Sequence, residues 1–448
     1  MTEFNKSQTD GPSISAATMR KIKWRLLPLV MIMYVVAFVD RSNIGFAASK
    51  LEKDLGITAF QFGLIAGLFF VGYFIFEVPS NMLLRRFGAR RWIARILLTW
   101  GILAALTGFT TGLDSLVVVR VLLGIAEAGF FPGILLYLTS WFPERERART
   151  TAMFIVAVPI ATVIGGPVSG LILDHIHWGG LASWRWMFIL QGAVAVLMVP
   201  LALKLLTDNP RKAKWLTQDE QDAVIGELTA ERKIKEQAHG EMNWKAVLTN
   251  PRVLALAFIY FCKASAMYSL VFFTPTIVHG LSSSFSSTQV GLITALPYLI
   301  SIAGMLYWGR HSDRTGERRF HVAGPYIAGA IALIGLGIWN DTLVLSVVLL
   351  CVVVLLLSIP YGPFWSLPSM FLTGAASASG LAWINAVANL GGFVGPFVLG
   401  AVVDKTGTVF SGLFIVAGMV FAAAVMTLRL KVAAPVGSID KSEKTAQS

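Results

Sequence analysis

Four charged residues stand where the surrounding sequence is almost wholly apolar, and their types and spacing suit the handling of an acid and a proton. Asp40 and Arg41 come soon after the uncharged run from Leu26 to Ala37, and uncharged residues resume at Ile44. Arg120 and Glu127 are seven residues apart, which on a helix puts them within about 20° of one stripe and about 10 Å apart along the axis. Gly124 falls near that stripe between them and offers room. A guanidinium presents a planar fork of donors that matches a carboxylate, so Arg41 and Arg120 are candidates for holding an anion. Asp40 and Glu127 are candidates for carrying protons. The same four groups would equally make a closed salt-bridge network tying two helices together. Ionisable groups within a bilayer are costly and mark functional sites by default, which favours the binding reading.

Such residues need a scaffold that holds them at membrane depth. The chain has 448 residues, 55% hydrophobic and 14% charged, against roughly 25% charged in a soluble protein. A crossing takes about 20 apolar residues, and twelve stretches qualify: 26–46, 61–83, 93–111, 115–138, 150–173, 185–206, 253–278, 288–309, 322–340, 343–366, 379–402 and 408–429. The strict alternation of a membrane β-barrel is absent. The predicted fold class is an all-α polytopic membrane protein. Spans one and four run in opposite directions, so Asp40 and Arg41 come level with Arg120.

The net charge of +12 does not point to nucleic acid, because of where the charges lie. Of 37 Lys and Arg, 30 fall in the N-terminal segment, the C-terminal tail and the loops on their side of the membrane. Four fall on the other side (Lys50, Lys53, Arg185 and Lys405), and Arg41, Arg120 and Lys263 lie inside spans. The positive-inside rule predicts both termini in the cytoplasm. Residues 1–24 lack an apolar core of their own and are not read as a signal peptide. Cys262 and Cys351 both fall in apolar spans and imply no disulfide framework.

The expected organisation is an N-terminal tail (1–25), a six-helix bundle (26–206), a linker (207–251), a second six-helix bundle (252–430) and a C-terminal tail (431–448). The linker is nearly neutral, with seven basic and eight acidic residues. Thr217 with Glu220 makes a capping box, and Val224, Ile225 and Leu228 follow at helical spacing, predicting an amphipathic helix over about 218–236 that lies on the cytoplasmic face. The two halves repeat. The loop from Asn81 to Arg91 matches that from Gly309 to Arg319, and Gly166-Pro167 with Asp174 matches Gly395-Pro396 with Asp404, at offsets of 228 to 230 residues. Two bundles related by an axis along the membrane normal is a transporter architecture.

The loop Gly309-x-x-x-Asp313-Arg314-x-Gly316-x-Arg318-Arg319 resembles the signature of the major facilitator superfamily, and the resemblance covers essentially the whole chain. It implies the twelve-helix fold in two six-helix bundles, and makes Gly309, Asp313, Arg314, Gly316 and Arg318 a gating loop. In the first copy Asn81 replaces the glycine and Arg85 the aspartate that latches helix ends in this family. A narrower resemblance rests on Asp40-Arg41-Ser42-Asn43-Ile44-Gly45-Phe46-Ala47, Pro79-Ser80-Asn81, Gly88-Ala89-Arg90, Arg120-x-x-x-Gly124-x-Ala126-Glu127-Ala128-Gly129-Phe130-x-Pro132-Gly133, Trp141-Phe142-Pro143 and Phe364-Trp365-x-x-Pro368. Together these resemble the anion:cation symporter family, and within it bacterial permeases for tartrate-, rhamnonate- and hydroxyphenylacetate-type acids. The resemblance implies that Arg41 and Arg120 bind the anion, that Asp40 and Glu127 are protonation sites, and that the chain sits in the bacterial inner membrane.

Further polar residues fall within spans. Tyr73 is midway down span two, where it donates to substrate or packs; Glu77, one turn on, is either a gate partner or an acid held by the arginines beyond it, the second being the favoured reading. Trp365 and Ser366 lie where Pro360, Pro363 and Pro368 break a helix. Asn385 and Asn389 share a face at i, i+4 spacing, suited to the hydroxyls of an acid or to bonds between helices. Lys263 either meets a second carboxylate or reaches toward the cytoplasmic side. Tyr268 occupies the repeat position of Asp40, so the titrating residue is not duplicated. His175 and His177 alone among the histidines are close in sequence, and no metal constellation or phosphate-binding loop is present. The expectation is a secondary active transporter and not an enzyme. It needs no cofactor beyond the proton as coupling ion, and its partners are a small organic anion, protons and the lipid bilayer, with one chain acting as a monomer. The alternatives are an exporter of drugs or neutral solutes, and a non-coupled channel or receptor.

Overall fold

Backbone groups have no water to bond in hydrocarbon, so a spanning chain must satisfy them within helices, and helices are what this sequence forms. The structure, a computed structural model, describes residues 14–237, 248–370 and 374–430; the C-terminal tail predicted over 431–448 lies outside them, as do the first part of the N-terminal tail and part of the linker. Among the described residues there is no strand.

The first bundle comprises α1 (Ala16–Leu55), α2 (Ala59–Phe87), α3 (Ala89–Thr107), a span broken into α4 (Leu113–Glu127) and α5 (Phe130–Thr139), another broken into α6 (Glu144–Ile155) and α7 (Ala157–His175), and α8 (Ser183–Leu205). The linker carries α9 (Gln218–Gln237). The second bundle comprises α10 (Pro251–Leu281), α11 (Ser287–Thr315), α12 (Arg319–Ile338), a broken span of α13 (Leu343–Ser358) and α14 (Tyr361–Ser366), α15 (Gly374–Thr406) and α16 (Val409–Arg429). Eleven of the twelve spans are long and apolar enough to cross a membrane by composition alone. The twelfth, α3, carries Arg90, Arg91 and Arg95 toward one end and packs along α8 and α4. Lipid-facing positions are apolar, as at Leu197, Ile331 and Val344, each more than 60% exposed.

The repeat read in the sequence is a repeat in packing. Helix α3 lies on α8 as α12 lies on α16, and α2 on α4 as α11 on α13. Between the bundles, α7 packs on α11 as α15 packs on α2. These inter-bundle crossings gather at the face opposite the linker, and glycine makes them close. A Cβ on Gly166 would lie 2.6 Å from the Gly291 carbonyl oxygen, one on Gly63 2.3 Å from that of Pro396, and one on Gly45 2.6 Å from that of Phe272. Two carboxylates complete the closure. Asp174 accepts hydrogen bonds from the backbone N–H of Ser287 (2.9 Å) and Thr288 (2.7 Å) at the start of α11. Its repeat mate Asp404 accepts from the Thr58 hydroxyl (2.7 Å) at the start of α2. Both helix starts carry a capping box, Thr58 with Gln61 and Ser286 with Gln289.

Toward the linker face α2 loses its cover: Ile75, Val78 and Met82 are all more than half exposed, whereas the inter-bundle glycine contacts of the same helix, at Gly63 and Gly67, lie in its other half. At 1.5 Å per residue α1 is about 60 Å long, twice the hydrocarbon thickness, so its first turns project beyond the membrane. There Lys21 pairs with Glu220 of α9 (2.8 Å). Glu227 and Glu231 of α9 pair with Arg145 (3.2 Å) and Arg147 (3.5 Å) of α6. Thr217 and Glu220 cap α9 reciprocally. The linker helix is therefore fastened to the first bundle.

Candidate functional site

Between the bundles lies a cavity of about 150 Å³, walled on the first bundle's side by Tyr34, Phe38, Arg41, Phe70 and Tyr73 and on the other by residues including Lys263, Tyr268 and Tyr361. Helix α1 brings Arg41 to the wall, and the neighbouring residue, about 100° around the helix, points elsewhere. Asp40 Oδ2 accepts a hydrogen bond from the indole N–H of Trp100 (2.8 Å), a side chain fully buried in the first bundle.

Arg41 is the centre of the wall. Its Nη2 pairs with Glu127 Oε1, and its Nη1 donates to the Tyr268 hydroxyl of the opposite bundle (3.3 Å). The rings of Phe69 and Tyr73 lie 5.1 and 5.4 Å from its guanidinium carbon, within cation–π range. The helix carrying Glu127 ends at that residue. Ala128 takes an extended conformation and Gly129 a left-handed one, φ +81°, before α5 begins. Gly129 is required there twice over, since a Cβ would also strike the Ser80 hydroxyl at 2.5 Å. Broken helices at mid-membrane are where transporters build their sites.

The four charges come together behind the wall, and only Arg41 reaches the cavity: the guanidinium carbons of Arg41 and Arg120 lie 5.1 and 5.4 Å from the same Phe69 ring, and Arg120 stands within the charge field of both Asp40 and Glu127. Arg120 is fully buried and does not reach the cavity. Its Nε donates weakly to the Ile65 carbonyl (3.4 Å), and its Nη2 has no hydrogen-bond partner among the described residues. Gly124 offers no room beside it: a Cβ there would lie 2.0 Å from the Phe69 carbonyl oxygen, so the glycine serves close approach of α2 to α4. Glu77 is not held by arginines; its Oε2 accepts from Asn389 Nδ2 (3.0 Å) across the bundle interface.

In the second bundle, Lys263, Asn385 and Asn389 line the cavity, and Trp365 and Ser366 do not. The proline-rich break turns Trp365 edge-on to the Tyr260 ring (centroids 5.0 Å apart), and the Ser366 hydroxyl bonds back to the Gly362 carbonyl (3.2 Å). Tyr361 and Ser358, on either side of the break, take the wall positions. Sequence reasoning missed Tyr34, Tyr260, Tyr298 and Tyr361. Their only signal was tyrosine within apolar spans, where its hydroxyl needs a polar neighbour.

A profile of the Major Facilitator Superfamily matches residues 30–396 and, overlapping, 281–447. The chain belongs to the Major Facilitator Superfamily. A protein of Agrobacterium vitis described as a putative tartrate transporter is 45% identical, over 94% of this chain and 96% of that one. NicT of Pseudomonas putida, described as a putative metabolite transport protein, is 40% identical over 92% and 93%. A quinolone resistance transporter of Acinetobacter baumannii is 40% identical over 88% and 90%. Among solved structures, a D-xylose–proton symporter superposes with a TM-score of 0.74 at 15% identity over 91% of this chain and 97% of that one. The inward-open xylose transporter of E. coli superposes with 0.73 at 16% over 94% and 99%. These two likenesses speak to fold alone. As a member of this superfamily the protein is a polytopic membrane transporter, and the resemblance to organic acid permeases holds over nearly its full length.

The superfamily's signature, expected as a loop, begins within the last two turns of α11, which hold Gly309, Asp313 and Arg314, and only Gly316 to Arg318 form the turn that follows. Gly316 ends that helix in the left-handed region, φ +68°. Asp313, in the last turn of the helix, pairs with Arg318 of the turn after it (2.8 Å), while Gly309 has no heavy atom near its Cβ position and Arg314 is exposed. The capping work is done by acids that the signature does not name. Glu317 accepts from the N–H of Phe320 (2.6 Å) and His321 (3.1 Å) at the start of α12. In the first copy Asp208, from beyond α8, accepts from the N–H of Arg90 (3.0 Å) at the start of α3.

Proposed function

We propose that this chain is a proton-coupled importer of a small organic anion, working by alternating access in the bacterial cytoplasmic membrane. The observation that carries the reading is Arg41, whose guanidinium lines the cavity while Glu127, behind the wall, occupies one arm of its fork. An ionised Glu127 competes with an incoming carboxylate for that arm. A protonated Glu127 surrenders most of its attraction, and the charge-assisted bond passes to the substrate. Proton and anion therefore favour each other's binding, reciprocally. Asp40, bonded to the Trp100 indole and within the charge field of Glu127 and Arg120, is the second protonation site.

Charge balance supports coupling. Asp40, Arg41, Arg120 and Glu127 sum to zero when ionised, so a monocarboxylate alone would enter against an inside-negative potential at about 2.3 kcal/mol per 100 mV. One proton removes that cost and two reverse it. The distribution of 30 basic residues against four favours a cytoplasmic linker face with both termini there, which makes the open side of the structure inward. The names of the tartrate and metabolite relatives favour an organic acid. The quinolone relative favours an exporter, but the cavity of about 150 Å³ is small beside the roughly 300–1,000 Å³ of drug-sized sites. One chain supplies both walls of the cavity, so a monomer suffices, and no cofactor is required.

The test is uptake into proteoliposomes from a panel of sugar acids, hydroxy acids and aromatic acids. Accumulation of at least one, stimulated by external acid and collapsed by a protonophore, is expected. Uptake that follows sodium, or that ignores the proton gradient, would show the reading to be wrong.

A further inference from the structure

Lys263 is a cation that the proton-coupling scheme leaves unused. It lies on α10, half-buried, and lines the same cavity as Arg41 from the opposite bundle. Its Nζ stands 5.5 Å from the Tyr260 ring and 5.4 Å from the Tyr361 ring. Tyr260 is one turn back on the same helix and Tyr361 comes from α14, so the two rings fix the ammonium from two elements. Rings attract a cation but do not neutralise it. Among the described residues Lys263 makes no ion pair and no hydrogen bond, whereas Arg41 has Glu127. The other acid near the wall, Glu77, is held by Asn389. An uncompensated charge at membrane depth is costly, and a buried charge is normally retained with a partner. Here the partner has to arrive in the cavity.

We infer that the transported anion carries two carboxylates, one taken by Arg41 on the first bundle and the other by Lys263 on the second. The inference rests on the organic-anion reading above and narrows it to short dicarboxylic acids. Asn385 and Asn389 line the wall between other contacts and supply donors and acceptors for hydroxyl or keto groups on the intervening carbons. The charge count agrees with this assignment. Two carboxylates bring −2, and protonation of both Asp40 and Glu127 lets the dianion cross with no net change. A ligand that ties Arg41 to Lys263 also ties the two bundles together.

The experiment uses the full-length protein in detergent and in proteoliposomes, with matched pairs of acids that differ by one carboxylate: tartrate against threonate, and succinate against butyrate. Thermal-shift titration and competition for uptake are read for each. In the wild type the dicarboxylate of each pair is expected to act at roughly tenfold lower concentration or less, the scale of one hydrogen-bonded charge. Lys263→Gln should close that gap by weakening tartrate and succinate several-fold more than threonate and butyrate, and Lys263→Arg should restore it. Monocarboxylates that bind the wild type as well as their partners would overturn the inference and leave the organic-anion reading standing. A gap that survives in Lys263→Gln, or a loss in Lys263→Gln that falls equally on both members of a pair, would also overturn it. If no carboxylate of either kind engages the wild type, the organic-anion reading itself fails. The comparison within the wild type requires no variant to fold.

Discussion

The crossing of α7 and α11 offers the most direct handle on the conformational cycle. A Cβ added at Gly291 would lie 2.2 Å from the Gly166 carbonyl oxygen, 2.6 Å from its carbonyl carbon and 3.0 Å from the Pro167 nitrogen. All three are backbone atoms of a helix in the other bundle, so no side chain can swing aside, and the helices must separate by about an ångström. Overpacking of this kind costs about 1–3 kcal/mol. The cost falls only on the state in which this face is closed, because the two glycines belong to different bundles and part when it opens. A bias of that size shifts a two-state equilibrium by about 5- to 150-fold. Gly291→Ala is therefore expected to populate the state open at the face opposite the linker. The reporter is Met267→Cys, a cavity-lining position, with Cys262 and Cys351 replaced by serine. A membrane-impermeant maleimide added to intact cells should label it faster in Gly291→Ala by a factor in that range. Gly226→Ala, where a Cβ meets nothing within 4 Å, is the control and should change nothing. Labelling in Gly291→Ala that stays at the control rate, with normal insertion, would refute the assignment of this crossing as a gate.

Other expectations follow from the same geometry. Asp174→Asn weakens two bonds to the start of α11 that are charge-assisted and worth about 1.5–3 kcal/mol each; it should raise outside labelling of the same reporter, with Asp404→Asn acting in the same direction and more weakly, since Asp404 holds a single hydroxyl. Asp40→Asn should abolish accumulation driven by a proton gradient yet keep substrate binding by thermal shift, whereas Arg41→Lys should lose affinity itself; equal loss of binding in both would contradict the division of labour. The Lys21 ammonium, with the Thr217 N–H, holds the Glu220 carboxyl below its ordinary range. A depressed value means that the attachment is fully present above about pH 4.3, the ordinary glutamate value, and is lost as pH falls through the lower one. Spin labels at Arg20→Cys and Ala230→Cys should report a fixed distance at pH 7 that broadens on acidification, and Glu220→Gln should broaden it at pH 7; identical distributions at every pH would exclude the attachment.

How much of this was legible in the sequence depends on the range of the interactions involved. The spans were readable because hydropathy acts residue by residue, and α3 was readable despite its three arginines because they cluster at one end. The 228-residue repeat was readable because Asp174 and Asp404 keep their spacing from the loops. Which of the four charges lines the cavity was not, since a stripe on a helix gives direction only relative to that helix. Whether Arg120 faces the cavity or the back of α2 depends on how closely α2 approaches, and Gly124 sets that approach through contacts with Phe69 and Tyr73, 55 and 51 residues away in the chain. The break after Glu127 carried a local signal in Ala128-Gly129, yet the left-handed turn is fixed by Ser80 of another helix. Trp365 and Tyr361 share one proline-rich stretch, and only the packed geometry of the break decides which of them reaches the wall.

The coupling of chemistry to movement converges on one guanidinium. Arg41 is bound within its own bundle to Glu127 and across the interface to Tyr268, so on the proposed scheme it is at once the partner of a proton-carrying acid and a fastener between the bundles. A ligand can shift a conformational equilibrium only by as much as its affinity differs between the two states. On the proposed scheme an anion on Arg41 that also reaches Lys263 has that difference built in, because its two ends lie on bodies that move relative to each other. Tyr268 then has a role that its repeat position did not suggest: it holds the free arm of Arg41 when no anion does. Tyr268→Phe removes that hydroxyl and leaves the ring stacking on Phe70 and Phe272 in place. It should therefore leave substrate affinity within about threefold while raising the rate of outside labelling in the empty carrier, by the ~0.5–1.5 kcal/mol typical of one net hydrogen bond. A loss of affinity with no change in labelling would instead make Tyr268 a substrate ligand and remove the fastener from the mechanism.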